Sequence, residues 1–275
     1  MKKFFALADT HSFYDEAMKA LAECGFESDN QQHIVILCGD AFDRGPKTRE
    51  LFEWLVDLQS KHRLIYIRGN HEDLFEDAAK QLTTSAFADQ HHLSNGTLDS
   101  ISNLMNCSIY DLLCHVYRNE DLDSTLGKAR DFINSSVDSF RLGETLFVHG
   151  WLPTVVDNGV MTVSKDWELG NWYAARWKNG IDYFRANLIP PDVTTVVCGH
   201  WHSSYAWAHI KHLGTEFDDA IFEPFIYFDD SKRKQLVALD CCTAYSKKCG
   251  CVVFSENGLI IGSNQSKLEG YSERY

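Results

Sequence analysis

The chain has 275 residues, 44% of them apolar and 24% charged, and a formal net charge of −13. These are the proportions of a water-soluble globular protein, and no apolar run is long enough to span a membrane. The acidity argues against a nucleic-acid partner held through a basic face, and against a nuclease; an anionic substrate must be attracted locally, by metals or by arginines.

One large domain over residues 1–275 suffices at this length. The amino terminus, Met1-Lys2-Lys3-Phe4-Phe5-Ala6-Leu7-Ala8, has a basic start. Asp9 and His11 interrupt it before a signal-peptide core could form, so Lys3–Ala8 reads as a first strand. A helix follows over Tyr14–Cys24, with Ala17, Met18 and Leu21 on one face and Gly25 closing it. Ile34–Cys38 is a second strand, and Thr48–Gln59 a helix whose Leu51, Phe52, Leu55 and Leu58 face inward. Leu64–Ile67 is a third strand. This alternation predicts a parallel α/β core.

Residues 73–139 are polar and mostly helical, with apolar faces at Leu98, Ile101, Leu104 and Met105, at Leu112 and Val116, and at Phe132, Ile133 and Val137. They form a helical insertion, either a cap over a site or outer-layer helices. Phe140–Leu142 and Thr145–Val148 read as a hairpin. A long irregular connection with Trp151, Trp167, Trp172 and Trp177 leads to a strand at Thr194–Cys198. Its tryptophans suit either a substrate wall or core. Ile221–Phe228, Leu236–Cys241, Val252–Phe254 and Leu259–Ile261 complete a β-rich end, which predicts a second sheet packed on the first.

The nine cysteines are an odd number. Cys38 and Cys198 sit in apolar runs, as buried thiols do, and the expectation is a reducing cytoplasm. Cys241, Cys242, Cys249 and Cys251 lack the usual zinc spacing and are flanked by strand segments, which favours a plain hairpin over a structural zinc site.

Five strands end alike, in residues that can hold metals: Asp9 and His11; Asp40 and Asp43; Asn70 and His71; His149; His200 and His202. Carboxylate, imidazole and amide oxygen together suit Mn²⁺, Fe or Zn²⁺ better than Ca²⁺. On extended backbone, Asp-x-His and His-x-His place both side chains on one face. Two such pairs with a shared carboxylate between them make a dinuclear site.

These blocks, Asp9-Thr10-His11, Gly39-Asp40-Ala41-Phe42-Asp43-Arg44-Gly45, Gly69-Asn70-His71-Glu72, His149-Gly150 and Gly199-His200-Trp201-His202, resemble in order and spacing those of the calcineurin-like metallophosphoesterase superfamily. The second and third resemble its phosphoprotein-phosphatase branch, with its bacterial and phage relatives and the diadenosine tetraphosphate hydrolases. Ala8 and Ser12 stand where glycines are common, and Trp151 follows His149-Gly150.

The resemblance implies a four-layer α/β/β/α sandwich and two divalent ions. Asp9 and His11, completed by His202, would hold one ion; Asp40 would bridge; Asn70, His149 and His200 would hold the other. Asp43 would pair with His71 and keep that imidazole protonated near the leaving group. Arg44, and Arg176 as a second arginine, would bind phosphate; the bland alternative for Arg176 is a surface arginine stacked on Trp177. The expected reaction is hydrolysis of a phosphomonoester by metal-activated water, Mn²⁺ being the first choice of metal. The substrate is a Ser/Thr phosphoprotein or, alternatively, a nucleotide anhydride of the diadenosine tetraphosphate type. A catalytically inactive scaffold that binds a phosphorylated partner would be expected to have lost ligands or His71, and all are present.

Overall fold

The computed structural model describes residues 1–84, 88–118 and 123–266. Parts of the expected helical insertion (85–87 and 119–122) and the last residues of the expected domain (267–275) lie outside the described residues. Two five-stranded sheets form the centre of the molecule. The first is built from β1 (Lys3–Leu7), β2 (His33–Cys38), β3 (Leu64–Ile67), and two strands from the far end of the chain. The second contains β4 (Phe140–Leu142) and β5 (Thr145–Phe147), which form the expected hairpin. A separate hairpin, β6 (Thr154–Asp157) and β7 (Val160–Val163), projects from the Trp-rich connection. β8 (Thr195–Cys198), β9 (Phe225–Asp229) and β10 (Lys234–Ala238) complete the second sheet. β11 (Val252–Ser255) and β12 (Ile260–Ser263) return to the first.

The strand orders are β12-β11-β1-β2-β3 and β4-β5-β8-β10-β9. β1, β2 and β3 run parallel, with Phe5 opposite Val35 and Ile36 opposite Ile65. β11 is antiparallel to β1. β5, β8 and β10 are mutually parallel in the second sheet.

Strand alternation makes the layers. Phe4, Ala6, Ile34, Ile36, Cys38 and Phe254 of the first sheet face Phe147, Val197 and Val237 of the second in the core between the sheets. Phe5, Leu7, Val35 and Leu37 point the other way, against α1 (Tyr14–Glu23), α2 (Thr48–Ser60), α3 (Asn70–Thr84) and the helices that follow α3. Those are α4 (Gln90–Ser94), α5 (Thr97–Leu104), α6 (Ile109–Tyr117) and α7 (Asp123–Asn134). Phe75, Ile101, Leu112 and Phe132 from this group share one core with Leu51 and Leu55 of α2. The helices therefore lie in the outer layer of the sandwich, and from them Leu74 and Asn95 reach the site pocket. On the opposite side, Leu146, Val196 and Leu236 pack against α8 (Trp172–Arg176), α9 (Gly180–Arg185) and α10 (Ser203–Ile210). Each fully buried large apolar side chain contributes about 1.5–3 kcal/mol. The expected four-layer α/β/β/α sandwich is thus the observed architecture.

Two expectations need correction. The segment holding Cys241 to Cys251 is not a hairpin: β10 and β11 belong to different sheets, and the chain crosses between them through the short α11 (Thr243–Ser246). Two apolar runs separated by a Gly-Cys-rich stretch look alike whether they pair or part. The expected strand from Ile221 begins instead at Phe225, just past Pro224, which has no N–H to give a ladder. The β6–β7 hairpin was not expected; its turn, Asn158-Gly159, has both residues at positive φ, the pairing a tight hairpin demands.

Candidate metal centre

The ends of β1, β2, β3, β5 and β8 converge on one pocket of about 290 Å³. Its lining includes Asp9, His11, Asp40, Arg44, Asn70, His71, His200 and His202. His149 stands beneath it, fully buried. The backbone that presents these side chains is not extended. Asp9, His11, Asp40, Asp43, Arg44 and His200 all have φ between 47° and 77°, in the left-handed region. Asp-x-His and His-x-His therefore do not stand on extended backbone as expected; sharp turns beyond the strands aim the ligands. Such conformations persist only where the surroundings hold them. Gly39 and Gly69 give the loops room to approach each other. A Cβ on Gly39 would overlap the His149 ring and the Gly69 backbone, and one on Gly69 would overlap the Asp40 carboxylate.

Glu72 does much of the holding. Fully buried, it accepts hydrogen bonds from the backbone N–H groups of Asp40 (2.9 Å), Ala41 (2.9 Å) and Gly69 (2.7 Å). Its carboxylate ties the end of β2 to the end of β3. Asn70 and His71 are the first two residues of α3 rather than loop residues, and the His71 N–H donates to Asp40 Oδ1 at 2.9 Å.

Histidine tautomers are set from behind. His11 Nδ1 is 3.0 Å from the Phe42 carbonyl and His149 Nδ1 is 2.8 Å from that of Cys38. A carbonyl can only accept, so each Nδ1 carries the proton and each Nε2 presents a lone pair to the pocket. His11 is held well below its usual range by burial first, then by His71 and Arg44. Burial, then the neighbouring His149, lowers His200 to about 4. Both are therefore neutral imidazoles, the form that binds metals.

The carboxylates are crowded. Asp9 is raised well above its usual range by burial, and further by Asp240 and Asp40. Asp240 lines the same pocket and is raised by burial, with His202 opposing. Asp40 goes the other way: against its burial, the positive field of the histidines around it, His149 first and then His71, holds it below the usual range. Buried carboxylates crowded among neutral imidazoles are a cation site in need of cations. Two groups converge to within 4.8 Å: His11, Asp40 and His71; and Asp40, His149 and His200. Asp40 belongs to both. Asn70 Oδ1 is 2.8 Å from His149 Nε2, beside the second group. These residues fit a divalent metal centre.

Asp9 borders the pocket, and its two carboxylate oxygens accept from the His200 N–H at 3.1 and 2.9 Å. His202 lines the pocket but stands outside both convergent groups; its Nδ1 is 3.6 Å from Glu216. Asp43 Oδ2 lies 2.7 Å from His71 Nδ1 and accepts from Thr97 Oγ1 at 2.8 Å, while the Asp43 N–H donates to Ser100 Oγ. Burial alone would lower His71; Asp40 and the Asp43 hydrogen bond overcome it and raise its pKa. Arg44 donates to Nε2 of both His11 and His71, at 2.9 Å each.

Arg176 is not among the residues that line the pocket. It is 9% exposed, and its guanidinium donates to Asp73 at 2.8 Å and to Asp138 at 2.5 Å. The expectation of a phosphate-binding side chain in the pocket is not what the geometry shows, and neither is the exposed alternative. The tryptophans divide. Trp151, Trp167, Trp172 and Trp207 are buried core, whereas Trp177 (45% exposed) and Trp201 line the pocket. Burial raises the thiols of Cys241, Cys249 and Cys251, away from the thiolate a zinc needs. Among the described residues, no convergent metal-capable group contains a cysteine.

Glu72 as a backbone tie, Thr97 and Ser100 behind Asp43, and Asp240 in the pocket were not foreseen. Glu72 stood inside a recognised block. Thr97 and Ser100 lie more than fifty residues from their partner. Asp240 ends an apolar run, as the other site carboxylates do, and that signal could have found it.

Such a donor set at the strand ends of an α/β/β/α sandwich is that of a metallophosphoesterase. The model of the calcineurin-like phosphoesterase family matches residues 2–204, and the chain belongs to that family. It is 28% identical over 71 residues to the asymmetrical bis(5'-nucleosyl)-tetraphosphatase PrpE of Bacillus velezensis, a match covering 24% of this chain and 28% of the relative. It is 34% identical over 74 residues to serine/threonine-protein phosphatase 1 of Salmonella typhimurium, covering 27% and 32%. The aligned part thus spans about a quarter to a third of the length of these curated relatives. Among solved structures, a cold-active protein-tyrosine phosphatase of a psychrophilic Shewanella superposes with a TM-score of 0.52 at 15% identity, over 96% of this chain and 81% of that one. That likeness is one of fold.

Proposed function

We propose that the protein hydrolyses phosphate monoesters, of the kind found on phosphorylated serine and threonine, at a centre of two divalent ions. The observation that carries this reading is the arrangement around Asp40. Imidazole nitrogens and buried carboxylates meet there, with the Asp43–His71 pair and the Arg44 guanidinium at the same pocket. Asp9, His11 and His202 would hold one ion, Asp40 both, and Asn70, His149 and His200 the other. Ions so held activate a water and neutralise phosphoryl oxygens. Arg44 offers a planar fork to the phosphate. His71, oriented by Asp43, would hold the proton that the leaving oxygen takes.

A second reading, hydrolysis of a nucleotide anhydride such as diadenosine tetraphosphate, is favoured by the half-exposed Trp177 beside Trp201 at the pocket, a surface on which a base could stack. Carboxylate, amide and imidazole donors support manganese, with iron or zinc also compatible. The free cysteines support a reducing, cytoplasmic setting.

A panel of phosphopeptides, mononucleotides and diadenosine tetraphosphate, assayed with Mn²⁺, tests these readings. Phosphate release from the peptides is expected. Nucleotide products from the dinucleotide with inert peptides would favour the second reading, and absence of metal-stimulated turnover on any of them would reject both.

A further inference from the structure

We propose that the chain carries another divalent-metal site, of the zinc type, outside the centre described above. Its ligands are Asp77 on α3 and Asp89, His91 and His92 at the start of α4. The ligand atoms of these four lie within 4.8 Å of one another. Two carboxylates and two imidazoles make a complete four-coordinate set of oxygen and nitrogen donors, the chemistry zinc takes.

Two further features point to a ligand there. His92 is fully buried, yet its Nδ1 has no hydrogen-bond partner, while its Nε2 lies 3.1 Å from Asp77 Oδ2. A buried imidazole is ordinarily satisfied at both nitrogens. The Gln81 side-chain amide donates to Asp77 Oδ2 (3.1 Å) and to Asp89 Oδ2 (2.9 Å), so a weak donor stands between two carboxylates. Both carboxylates and His91 are exposed, which leaves an ion a way in from solvent.

The site's position gives it a role. α4 runs directly into Asn95, which lines the catalytic pocket. Gly96 follows, against the backbone of Arg44, and Thr97 donates to Asp43. An ion bridging α3 to the start of α4 would anchor the segment that supports Asp43 and Arg44 from behind. It would act as a staple, touching no substrate.

The test is a zinc count on the full-length protein by equilibrium dialysis and elemental analysis, for the unaltered chain and for Asp89→Ala and His91→Ala. Both side chains are exposed, so the fold is expected to survive. Each variant should bind one zinc fewer per chain. Zinc should also slow amide hydrogen exchange over residues 88–97 at least tenfold in the unaltered protein and not in the variants. The same comparison in an Asp40→Asn background separates this site from the catalytic centre, because the one-ion difference should persist there. Equal counts in all chains, or equal protection of 88–97 by zinc, would overturn the proposal.

Discussion

Arg44 Nη2 lies 2.9 Å from Nε2 of His71, the ring nitrogen that faces the pocket. His71 Nδ1 points to Asp43, so in this geometry Nε2 accepts from the arginine and the ring is neutral. A proton on Nε2 and the Arg44 contact exclude one another. If Arg44 turns to a phosphate, Nε2 is released, and Asp40 and Asp43 favour its protonation. Arg44→Ala should therefore lower kcat/KM roughly 100-fold, the loss of two charge-assisted hydrogen bonds. Metal content should be unchanged or higher, because His11 is released too. Steady-state kinetics with elemental analysis will show this; a loss of bound metal in the variant would contradict it.

Asp40 and His71 should separate in their effects. Asp40→Asn removes the charge shared by both convergent groups, and both metal content and turnover should collapse. His71→Asn should cost roughly 10²–10⁴-fold in turnover while the metals stay. If His71→Asn empties the centre, its place as acid is wrong and it is a ligand.

Glu72 is predicted to matter for stability before activity. Glu72→Ala would leave three buried backbone N–H groups without an acceptor, at about 1–3 kcal/mol each. Denaturant unfolding should show a loss of several kcal/mol, with Glu72→Gln losing less. A variant as stable as the parent would mean that water or a rearranged loop replaces the carboxylate.

Arg176 offers a clean choice between substrate binding and architecture. Its pairs with Asp73 and Asp138 predict that Arg176→Ala destabilises the protein by about 1–3 kcal/mol, through the lost charge-assisted hydrogen bonds; Asp73 keeps Arg68 and Asp138 is half-exposed, so neither carboxylate is stranded. KM for a small phosphate ester should be unchanged. A large rise in KM at unchanged stability would restore the role the resemblance implies.

Lys178 gives the stability a pH dependence. Burial lowers it to about 8 from 10.5. Between those values the unfolded chain binds more protons than the folded one, so stability should rise with pH across that window. Below pH 8 both forms are protonated and the penalty is at its full value. Thermal melts of the parent and of Lys178→Met should differ in slope between pH 8 and 10, the variant being flatter.

Much of this was legible in the chain. Apolar runs such as Ile34–Cys38 and Thr195–Cys198 are buried on both faces, so their composition alone marks them as central strands. The polar residues at their ends then mark the site. What the chain concealed was of three physical kinds. Backbone handedness at Asp9 or His200 is imposed by tertiary contacts and leaves no residue signature. Contacts such as Thr97 to Asp43 span separations along which no pattern runs. The parting of β10 from β11 depends on which sheet has an open edge. The β6–β7 hairpin, by contrast, was announced by Asn158-Gly159 between valines.

Because β11 is the neighbour of β1, Phe5 waits for Val253. During synthesis, one edge of β1 has no partner until Val252–Ser255 has left the ribosome, and an open edge is a template for other chains. The turns bearing Asp9 and Asp40 and the first turn of α3 with His71 emerge long before that edge is closed. Early termination should thus yield aggregates rather than a partly active enzyme. A fragment ending at Gly250 should pellet on expression, and a monomeric, folded fragment would show that β1 is protected by other means.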